Sequence, residues 1–386
     1  MKIGLVTCYF IHNYGSSLQA YATEMLMKKL NKPYETIGCV RPINYMQENK
    51  ILYTIKKILI GDWKLKIGRL KIRYYKKINK EFEKECQIRD QYFEKFIQKY
   101  FHLSPISKNR NELEQRVSNY DCIIVGSDQL WRTDSVEHGY YTLEWVPDNI
   151  KKIAYATSFG ITRIPWFQKA KNKRFMNRFS HIALREQSGC NLVYQLTGRK
   201  TNVVLDPTLL FTGEDWMHIQ EKDPIEKEPY IFCYFLGNNP EQRNFVKKVK
   251  AKTGLQIVSL LHLDDYIPSD ENFPDKAPYN VGPGEFLNYI RNAQYVFTDS
   301  FHCSVFSILY KKSFFTFKRF NEKAKQNTNT RIDNLLKITS LSYRGISTNS
   351  SIEKILSIPN EFTTTEERLK ILRDSSINYL INSLKE

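Results

Sequence analysis

The chain has 386 residues, of which 41% are hydrophobic and 13% aromatic, so it is long and apolar enough to form the cores of two domains. This composition excludes a disordered chain, and no apolar run of about 18 or more residues is present to suggest a membrane-spanning helix. The net charge of +17 predicts an anionic partner, such as a membrane surface or a phosphorylated small molecule.

The cysteines and the N-terminus indicate the compartment. Seven cysteines are scattered along the chain, most of them inside apolar strands, and no C-x-x-C pair occurs. This pattern is typical of reduced, buried thiols and predicts no structural zinc. The opening sequence "MKIGLVTCYF" lacks the long apolar region of a signal peptide and fits a first strand better. A cytoplasmic protein is therefore predicted.

The first half of the chain alternates apolar strands with helical segments. Strands are predicted at 2–10, 34–40, 121–128, 152–160, 181–186 and 202–207. A helix is predicted at 15–30, where the apolar side chains form a single stripe. Because continuous apolar strands with helical crossovers are typical of parallel sheets, this half is predicted to be a Rossmann-like domain with helices on both faces.

The second half repeats this pattern after a charged, turn-rich stretch at 213–229, which is predicted to be a domain linker. Strands are then predicted at 230–237, 256–261, 295–300 and 313–318, with helices at 240–254, 282–293 and 302–312. A last amphipathic helix, 363–386, is predicted to pack back on the N-terminal domain. The predicted fold class is therefore α/β, with two Rossmann-like domains facing a cleft at the carboxyl ends of their strands.

The domain boundaries follow from these elements. An N-terminal domain is predicted at 1–212 with a basic insertion at about 45–115, a C-terminal domain at 213–345, and a helical tail at 346–386. Within the insertion, residues 51–80 hold ten Lys/Arg and one Asp, interleaved with Ile, Leu, Trp and Tyr. Such a segment suits an anionic bilayer surface, and a solvated basic insertion accounts for it equally well. No nucleic-acid-binding module is visible, so nucleic acid is not a predicted partner.

Polar residues follow the first predicted strand, in the sequence "HNYGSSLQ" at 12–19. Gly15 permits a tight turn, and the N–H groups that open the next helix form an anion site. An ordinary turn with Asn13 or Ser16 as the helix N-cap explains the glycine and the serines, but it explains Gln19 less well. The loop does not have the spacing GxGxxG, so no nicotinamide cofactor is predicted.

Polar or charged residues also stand at the ends of the third, fourth and fifth predicted strands. Ser127 and Asp128 follow the third strand, where they are either ligand-binding groups or simple helix caps. Small polar residues and Gly160 follow the fourth strand. Arg185 ends the fifth strand, where its guanidinium could clamp a carboxylate or phosphate, or form a salt bridge with Glu186 or a neighbouring acid.

A histidine stands at a later junction between strand and helix, "TDSFHC" at 298–303. Ser300 suits the N-cap position, so His302 falls in the first turn of the helix. Near the positive end of a helix, an imidazolium is disfavoured unless an anion lies beside it. His302 is therefore either a ring satisfied by hydrogen bonds or, beside a bound phosphate, a proton donor. No cluster of His, Asp and Glu with metal-ligand spacing stands out.

As an ordered set, these motifs resemble the polysaccharide pyruvyl transferase family. The matching segments lie at 12–22, 121–131, 152–160, 183–189, 205–210 and 282–302. Each motif alone is weakly specific, whereas the set in the family's order is specific and covers most of residues 12–318. One position departs from the family's pattern, because Cys303 stands where a glycine usually follows the "SFH" histidine.

The resemblance implies a GT-B-like fold and transfer of pyruvyl from phosphoenolpyruvate to a sugar of a surface or capsular polysaccharide precursor, forming a ketal. It implies His302 as the general acid and Arg185 as the ligand of the donor's anionic groups. The chemistry also needs a group that accepts a hydroxyl proton, for which Asp128 or another cleft carboxylate is a candidate. The predicted substrate-binding residues are Asn13, Tyr14, Gly15, Gln19, Gly126, Ser127, Ser158, Ser300, Phe301 and Arg331. No metal or cofactor is predicted, and phosphoenolpyruvate is a co-substrate.

Two other functions remain compatible with the sequence. One is a sugar-nucleotide glycosyltransferase on the same fold, which would release a nucleotide rather than phosphate. The other is a non-catalytic polysaccharide-assembly protein, an option that Cys303 keeps open. A lipid-linked acceptor glycan would place the chain at the inner membrane face, docked through 51–80. The acceptor sugar and the oligomeric state are left open.

Overall fold

The computed structural model describes residues 1–40, 63–261, 267–319 and 329–385, and the chain divides into two compact units. Unit 1 comprises Met1–Trp63, Ile97–Leu210 and Ile371–Glu386, and unit 2 comprises Lys64–Phe96 and Phe211–Lys370. Each unit is built on one parallel sheet with helical connections. The predicted α/β class with two Rossmann-like units is thereby confirmed.

The described residues contain the following strands and helices. The strands are β1 (Ile3–Val6), β2 (Tyr34–Thr36), β3 (Cys122–Val125), β4 (Lys151–Thr157), β5 (His181–Leu184), β6 (Asn202–Val203), β7 (Tyr230–Tyr234), β8 (Gln256–Ser259), β9 (Tyr295–Thr298), β10 (Ser313–Phe317) and β11 (Gly345–Ile346). The helices are α1 (Tyr14–Lys29), α2 (Trp63–Ile78), α3 (Lys80–Tyr100), α4 (Arg110–Val117), α5 (Thr133–Val136), α6 (Lys169–Asn177), α7 (Gln187–Thr197), α8 (Pro240–Thr253), α9 (Pro283–Asn292), α10 (Phe301–Leu309), α11 (Asn329–Ile338), α12 (Ile352–Leu356) and α13 (Thr363–Lys385).

Both sheets are parallel throughout. In unit 1 the strand order is β2-β1-β3-β4-β5-β6, and in unit 2 it is β11-β10-β9-β7-β8. Strands β1, β3 and β7 are buried at every residue. Because helices cover both faces of such sheets, their strands are continuous apolar runs, which is why the sequence predicts their positions well.

The strand orders determine where a ligand site is expected in each unit. In unit 1 the chain leaves β1 on one side for β2 and returns on the other side for β3. In unit 2 it leaves β7 for β8 and returns on the other side for β9. Where connections diverge in this way, a crevice opens at the carboxyl ends of the two central strands. We call this place the switch point of each unit.

Helix α1 differs from the one-striped helix that the sequence predicts. Its N-cap is Asn13, and many of its polar residues are buried together with the apolar ones. Among them, Glu24 accepts hydrogen bonds from Thr36 Oγ1 at 2.5 Å and from His102 N at 3.0 Å. Burial raises the pKa of the Glu24 carboxyl, although these hydrogen bonds oppose the shift. Helix α1 is therefore enclosed rather than half-exposed, because unit 1 supplies partners for its polar side chains.

The division into units differs from the predicted boundaries in two places. Residues 64–96, predicted as part of an N-terminal insertion, belong to unit 2, and so do residues 346–370, predicted as part of the tail. Arg89 shows why, because its buried guanidinium donates a hydrogen bond to Leu261 O at 2.6 Å and lies over the Tyr279 ring at 5.1 Å. These partners are far from Arg89 in sequence, so no local pattern encodes the contact.

The predicted linker at 213–229 is packed into unit 2 over its first half. A short 3₁₀ turn buries Trp216 completely, and its ring meets Phe306 edge-to-face with centroids 5.0 Å apart. Gly284 permits a close approach here, because a Cβ at this position would clash with the carbonyl oxygen of Ile219. The first half of the stretch is thus structured rather than a free linker.

Helix α13 packs against unit 1 over its second half, as the sequence predicts for the C-terminal helix. Ser376 Oγ accepts a hydrogen bond from Leu205 N at 3.0 Å, and Arg373 Nε donates one to Leu209 O at 2.7 Å. Residues 371–386 are accordingly part of unit 1.

The basic segment is only partly described. Residues 51–62 lie outside the described residues, as do the side chains of 63–70, so membrane docking through 51–80 stays a prediction. In the part of the chain that the structure describes, no helix is both long and apolar enough to cross a bilayer. All seven cysteines are free and buried.

Candidate functional site

Asp128 lies at the switch point of unit 1, three residues after β3 ends. Its φ of +83° is unusual for a residue with a side chain, and its carbonyl oxygen accepts hydrogen bonds from Leu130 N at 2.8 Å and Ser158 N at 2.9 Å. Its Oδ2 accepts a hydrogen bond from Ser16 Oγ at 2.7 Å, in the first turn of α1. A residue in such a conformation persists only where the surrounding structure holds it, and residues of this kind cluster at functional sites.

Arg185 lies beside Asp128, and only 5% of it is exposed. Its Nη1 donates a hydrogen bond to Asp206 Oδ2 at 2.8 Å, while Nη2 is 3.8 Å from Asp128 Oδ1 and Nε is 3.8 Å from Glu186 Oε2. Burial opposes the charge, but the three carboxylates, led by Asp206, outweigh it and raise the pKa of Arg185. The salt bridge that the sequence allows is present, with Asp206 as the nearest partner.

Buried hydroxyl groups complete this carboxylate cluster. Ser127 Oγ donates to Asp206 Oδ2 at 2.8 Å, and Ser158 Oγ donates to Glu186 Oε1 at 2.6 Å. Asp206 Oδ1 accepts hydrogen bonds from Thr208 N at 3.1 Å and Thr208 Oγ1 at 2.6 Å. Ser127 and Ser158, which the sequence predicts to bind substrate, therefore hold carboxylates in place within unit 1. The contact between Asp206 and Arg185 joins residues that are 21 positions apart, so no local pattern predicts it.

The predicted residues of the first loop shape the start of α1. Asn13 is the N-cap, Tyr14 and Gly15 are buried, and Gln19 Nε2 donates to Ser16 O at 2.9 Å. Gly126 allows the two central strands to approach, because a Cβ there would lie 3.0 Å from a methyl group of Thr7. These residues surround the same switch point as Asp128.

His302 lies at the switch point of unit 2, in the first turn of α10. Ser300 is the N-cap and accepts a hydrogen bond from Cys303 N at 3.4 Å, as the sequence predicts. The buried Phe301 ring meets the imidazole edge-to-face at 5.1 Å. The Arg331 guanidinium lies over the same Phe301 ring at 5.8 Å. The structure therefore brings four predicted residues to one helix N-terminus, and one of them, Arg331, supplies a positive charge.

Asp299 is a residue of this site that the sequence analysis did not select. Its carboxylate accepts hydrogen bonds from Leu236 N at 2.7 Å and Gly237 N at 2.8 Å, in the loop after β7. Arg319 Nη2 donates to Asp299 O at 2.9 Å, and Arg319 Nε is 3.6 Å from Asp299 Oδ1. A Cβ on Gly237 would lie 2.8 Å from Asp299 Oδ2, so glycine allows the contact. The sequence signal that could have identified Asp299 is the presence of an acid and a glycine at the ends of two central strands.

Cys303 follows the histidine, at the position where the sequence departs from the family pattern. The side chain is completely buried, and burial raises the pKa of its thiol to about 12, although Thr298 and Ser307 lower it. A thiol in this state is inert, because the thiolate is the reactive form. Cys303 is therefore a core side chain of unit 2.

Replacing Cys303 with glycine is expected to lower the free energy of unfolding by about 1–3 kcal/mol, since it removes a buried side chain and adds helix flexibility. We expect turnover to stay within about threefold of wild type, because a buried thiol has no part in the chemistry. Thermal unfolding and steady-state kinetics measure the two effects. Activity that appears only in the Cys303→Gly variant would contradict this assignment and favour a non-catalytic wild-type chain.

A separate cleft of about 670 Å³ opens in unit 2 beyond the ends of β10 and β11. Among the described residues, those that line it are polar and apolar in mixture, including Gln242, Lys318, Asp333 and Leu336. None of the predicted site residues is among them. The cleft is built from several distant segments, so no single motif predicts it. In the described part of the chain, no group of three or more His, Cys, Asp or Glu side chains could hold a metal ion.

These observations define a class of protein. Each unit is a doubly wound parallel sheet with ionisable side chains gathered at its switch point, the arrangement of α/β proteins that bind ligands. The sequence model of the family described as polysaccharide pyruvyl transferase matches residues 13–319, which include Asp128, Arg185 and His302. The chain belongs to the polysaccharide pyruvyl transferase family, and the predicted resemblance is confirmed.

Solved structures with low sequence identity also align over nearly the whole chain. A putative UDP-N-acetylglucosamine 2-epimerase from Listeria monocytogenes is 11% identical, with 96% of this chain and 94% of that chain covered and a TM-score of 0.49. A UDP-GlcNAc 2-epimerase from Neisseria meningitidis, bound to UDP-GlcNAc, is 10% identical, with 100% and 99% covered and a TM-score of 0.46. The spinosyn rhamnosyltransferase SpnG is 7% identical, with 100% of both chains covered and a TM-score of 0.46. These similarities are too low to assign a ligand or an activity. None of the curated proteins compared with the chain matched it.

Proposed function

We propose that this chain transfers the pyruvyl group of phosphoenolpyruvate to a sugar of a surface-polysaccharide precursor and closes a cyclic ketal. The observation that carries the proposal is the position of His302, in the first turn of α10 at the switch point of unit 2. Family membership over residues 13–319 supports the transfer class. The donor, the ketal and the residue roles are our proposal.

The donor carries a carboxylate and a phosphate, so its site needs positive charge. The N–H groups that open α10 provide partial positive charge beside His302. Arg331 lies over Phe301, and Arg319 is anchored at the adjacent loop by Asp299. We assign the phosphate to this end of unit 2, where a bound anion would also favour the protonated imidazole of His302.

The chemistry needs one proton delivered to carbon and two removed from hydroxyl groups. His302 donates a proton to the methylene carbon of phosphoenolpyruvate, which leaves an oxocarbenium-like centre at C2. A sugar hydroxyl adds to C2, and the C2–O bond to phosphate then breaks. A second hydroxyl of the same sugar adds to the same carbon and releases its proton to the departing phosphate, which closes the ketal and leaves a methyl group and inorganic phosphate.

Asp128 is the carboxylate that we assign to accept a hydroxyl proton. Its side chain is 18% exposed, whereas those of Glu186 and Asp206 are 5% and 1% exposed, so Asp128 is the most accessible member of its cluster. Ser16 and the constrained backbone hold it in one orientation. A positioned general base of this kind typically contributes about 10²–10⁴-fold to the rate.

Arg185 remains our candidate ligand for the donor carboxylate. Its Nη1 is occupied by Asp206, whereas Asp128 and Glu186 face its other nitrogens at 3.8 Å, longer than a hydrogen bond. The three carboxylates exceed the single positive charge, which weakens anion binding at this point. We therefore assign Arg185 a second role, which is to hold Asp128 and Asp206 in place.

The test combines the purified chain, phosphoenolpyruvate and candidate nucleotide-linked or lipid-linked glycans. We expect mass spectrometry to show an acceptor heavier by one ketal-linked pyruvate, with one phosphate released per ketal. In deuterated water, one deuterium should enter the new methyl group. Nucleotide release from a sugar nucleotide, without consumption of phosphoenolpyruvate, would contradict the proposal and indicate a glycosyltransferase.

A further inference from the structure

An exposed tryptophan lies on the surface of unit 1, outside the residues assigned above. Trp166 is 81% exposed, the largest value among the large hydrophobic side chains of the described residues. It opens the short 3₁₀ turn that leads into α6. The described side chains of the other tryptophans, Trp131, Trp145 and Trp216, are buried. A single exposed ring is common on protein surfaces, so the case for a contact surface rests on the ring together with the cations that neighbour it.

Exposed cations lie close to Trp166 in the sequence, in the preceding loop and along α6. Lys169 and Lys173 are one helical turn apart on α6, Arg174 follows directly, and all three are exposed. Arg163 is exposed in the preceding loop. We call these five residues the Trp166 surface.

The buried face of α6 is fixed in the core of unit 1. Phe175 is buried and packs edge-to-face on Trp131, with ring centroids 5.1 Å apart. Gln168 Nε2 donates hydrogen bonds to Thr133 O and to Glu137 Oε1, both at 2.8 Å. The helix and the turn that carry the Trp166 surface are therefore fixed by contacts with the core of unit 1.

The charge of this surface is not neutralised within the described residues. No Asp or Glu occurs between Asp148 and Glu186 in the sequence. Lys171 pairs with Glu144 at 3.3 Å, and Arg178 pairs with Asp148 at 2.7 Å. By contrast, the four cations of the Trp166 surface form no ion pair with any described residue. The surface therefore complements an anionic partner.

We propose that the Trp166 surface docks unit 1 on the anionic surface of a lipid bilayer, with the indole at the interface and the four cations among the headgroups. Tryptophan prefers this interface because its ring is apolar and its N–H is polar. Lysine and arginine extend their charged ends toward the headgroups while their stems cover apolar surface. Single-stranded nucleic acid fits less well, because it requires several aromatic rings along a basic groove.

This surface is separate from the segment at 51–80 and does not depend on the proposed pyruvyl transfer. It contains none of the residues assigned to chemistry or donor binding. Docking here would bring the chain to acceptors carried on lipid, while transfer to a soluble acceptor needs no membrane. The two proposals can therefore fail independently.

The experiment is co-sedimentation of the full chain with vesicles of phosphatidylcholine alone or mixed with phosphatidylglycerol. We expect binding only to the mixed vesicles, and weaker binding at high salt. The double variant Lys169→Gln/Lys173→Gln should bind roughly 25-fold more weakly, at roughly fivefold per charge near an anionic surface. Trp166→Ala should bind more weakly by about 10- to 100-fold.

Matched controls separate this surface from general charge and general hydrophobicity. Lys108→Gln/Lys200→Gln removes two exposed charges elsewhere on unit 1, and Tyr194→Ala removes another exposed aromatic ring. Both controls should bind within about threefold of wild type. A further variant, Lys64→Gln/Lys66→Gln/Arg69→Gln, tests the segment at 51–80 separately.

Fluorescence gives a direct readout of the ring. Mixed vesicles should shift the tryptophan emission of the wild type to shorter wavelength, and Trp166→Phe should abolish this shift while retaining part of the binding. The proposal is overturned if the wild type does not bind mixed vesicles, or if the Trp166 and lysine variants bind as well as their controls. Retention of the chain by DNA or RNA through these residues, without vesicle binding, would also overturn it.

Discussion

Replacing His302 with alanine is expected to lower kcat by about 10²–10⁴-fold while leaving the fold intact, because the variant loses its proton donor to carbon. His302 lies in the first turn of α10, where Ser300 caps the helix independently of the imidazole. The KM for phosphoenolpyruvate should change much less, since the arginines and the helix N-terminus bind the anion. Steady-state kinetics with phosphate detection measures both quantities.

The matched control is His218→Ala, which removes an exposed histidine of the same unit whose ring contacts the carbonyl oxygen of Asp215. We expect this variant to turn over at the wild-type rate. Circular dichroism and the thermal midpoint should be close to wild type for both variants. If His302→Ala retains wild-type turnover, His302 is not the general acid, and the proton must come from another group or from water.

Replacing Arg185 with alanine is expected to lower the free energy of unfolding by about 3–5 kcal/mol, because it leaves buried carboxylates without their cation. Asp206 is completely buried and has Arg185 Nη1 at 2.8 Å, while Glu186 is also buried. Chemical denaturation at pH 7 measures the loss. This effect is structural and should be present without any substrate.

The stability of Arg185→Ala should also respond to pH in a defined direction. Without the guanidinium, burial should raise the folded-state pKa of the remaining carboxyl groups above the ordinary value of about 4. A group with a raised folded-state pKa stabilises the fold while it is protonated, and it loses that contribution as pH rises through the raised pKa. We therefore expect the deficit relative to wild type to be smallest near pH 4 and to grow toward pH 7.

The conservative variant Arg185→Lys separates the structural role from donor binding. It keeps the charge and should recover most of the stability, but a single ammonium cannot reproduce the planar fork. If Arg185 also binds the donor carboxylate, the KM for phosphoenolpyruvate should rise by about tenfold or more in this folded variant. A normal KM in Arg185→Lys would restrict Arg185 to its structural role. Wild-type stability of Arg185→Ala would contradict the structural assignment itself.

Much of the fold could be predicted from the sequence, because its strands are buried on both faces. Continuous apolar runs marked β1, β3, β7 and β9 within a few residues of their ends. The same property placed polar motifs at strand ends, and in a parallel sheet those ends meet at one edge. The helix cap at Ser300 could also be predicted, because a serine side chain reaches the N–H group only three residues later in the sequence.

Other features depended on residues that are distant in the sequence. Arg89 donates hydrogen bonds to carbonyl groups more than a hundred positions away, in the same unit as residues 64–96. Glu24 is buried because residues of another segment supply its hydrogen-bond donors. No periodicity encodes such partners, so neither the unit to which 64–96 belongs nor the enclosure of α1 follows from the sequence alone.

The amino-acid sequence by itself determined the α/β class, the family and the strand ends at which Asp128, Arg185 and His302 lie, since each follows from local pattern. Only the tertiary structure decided what those side chains contact. It placed Asp206 rather than Glu186 nearest to Arg185, buried the Cys303 thiol and left Trp166 exposed. The physical reason is that the apolar pattern of a buried strand lies in consecutive residues. Ion pairs and the exposure of a side chain depend instead on which distant segments fold against it.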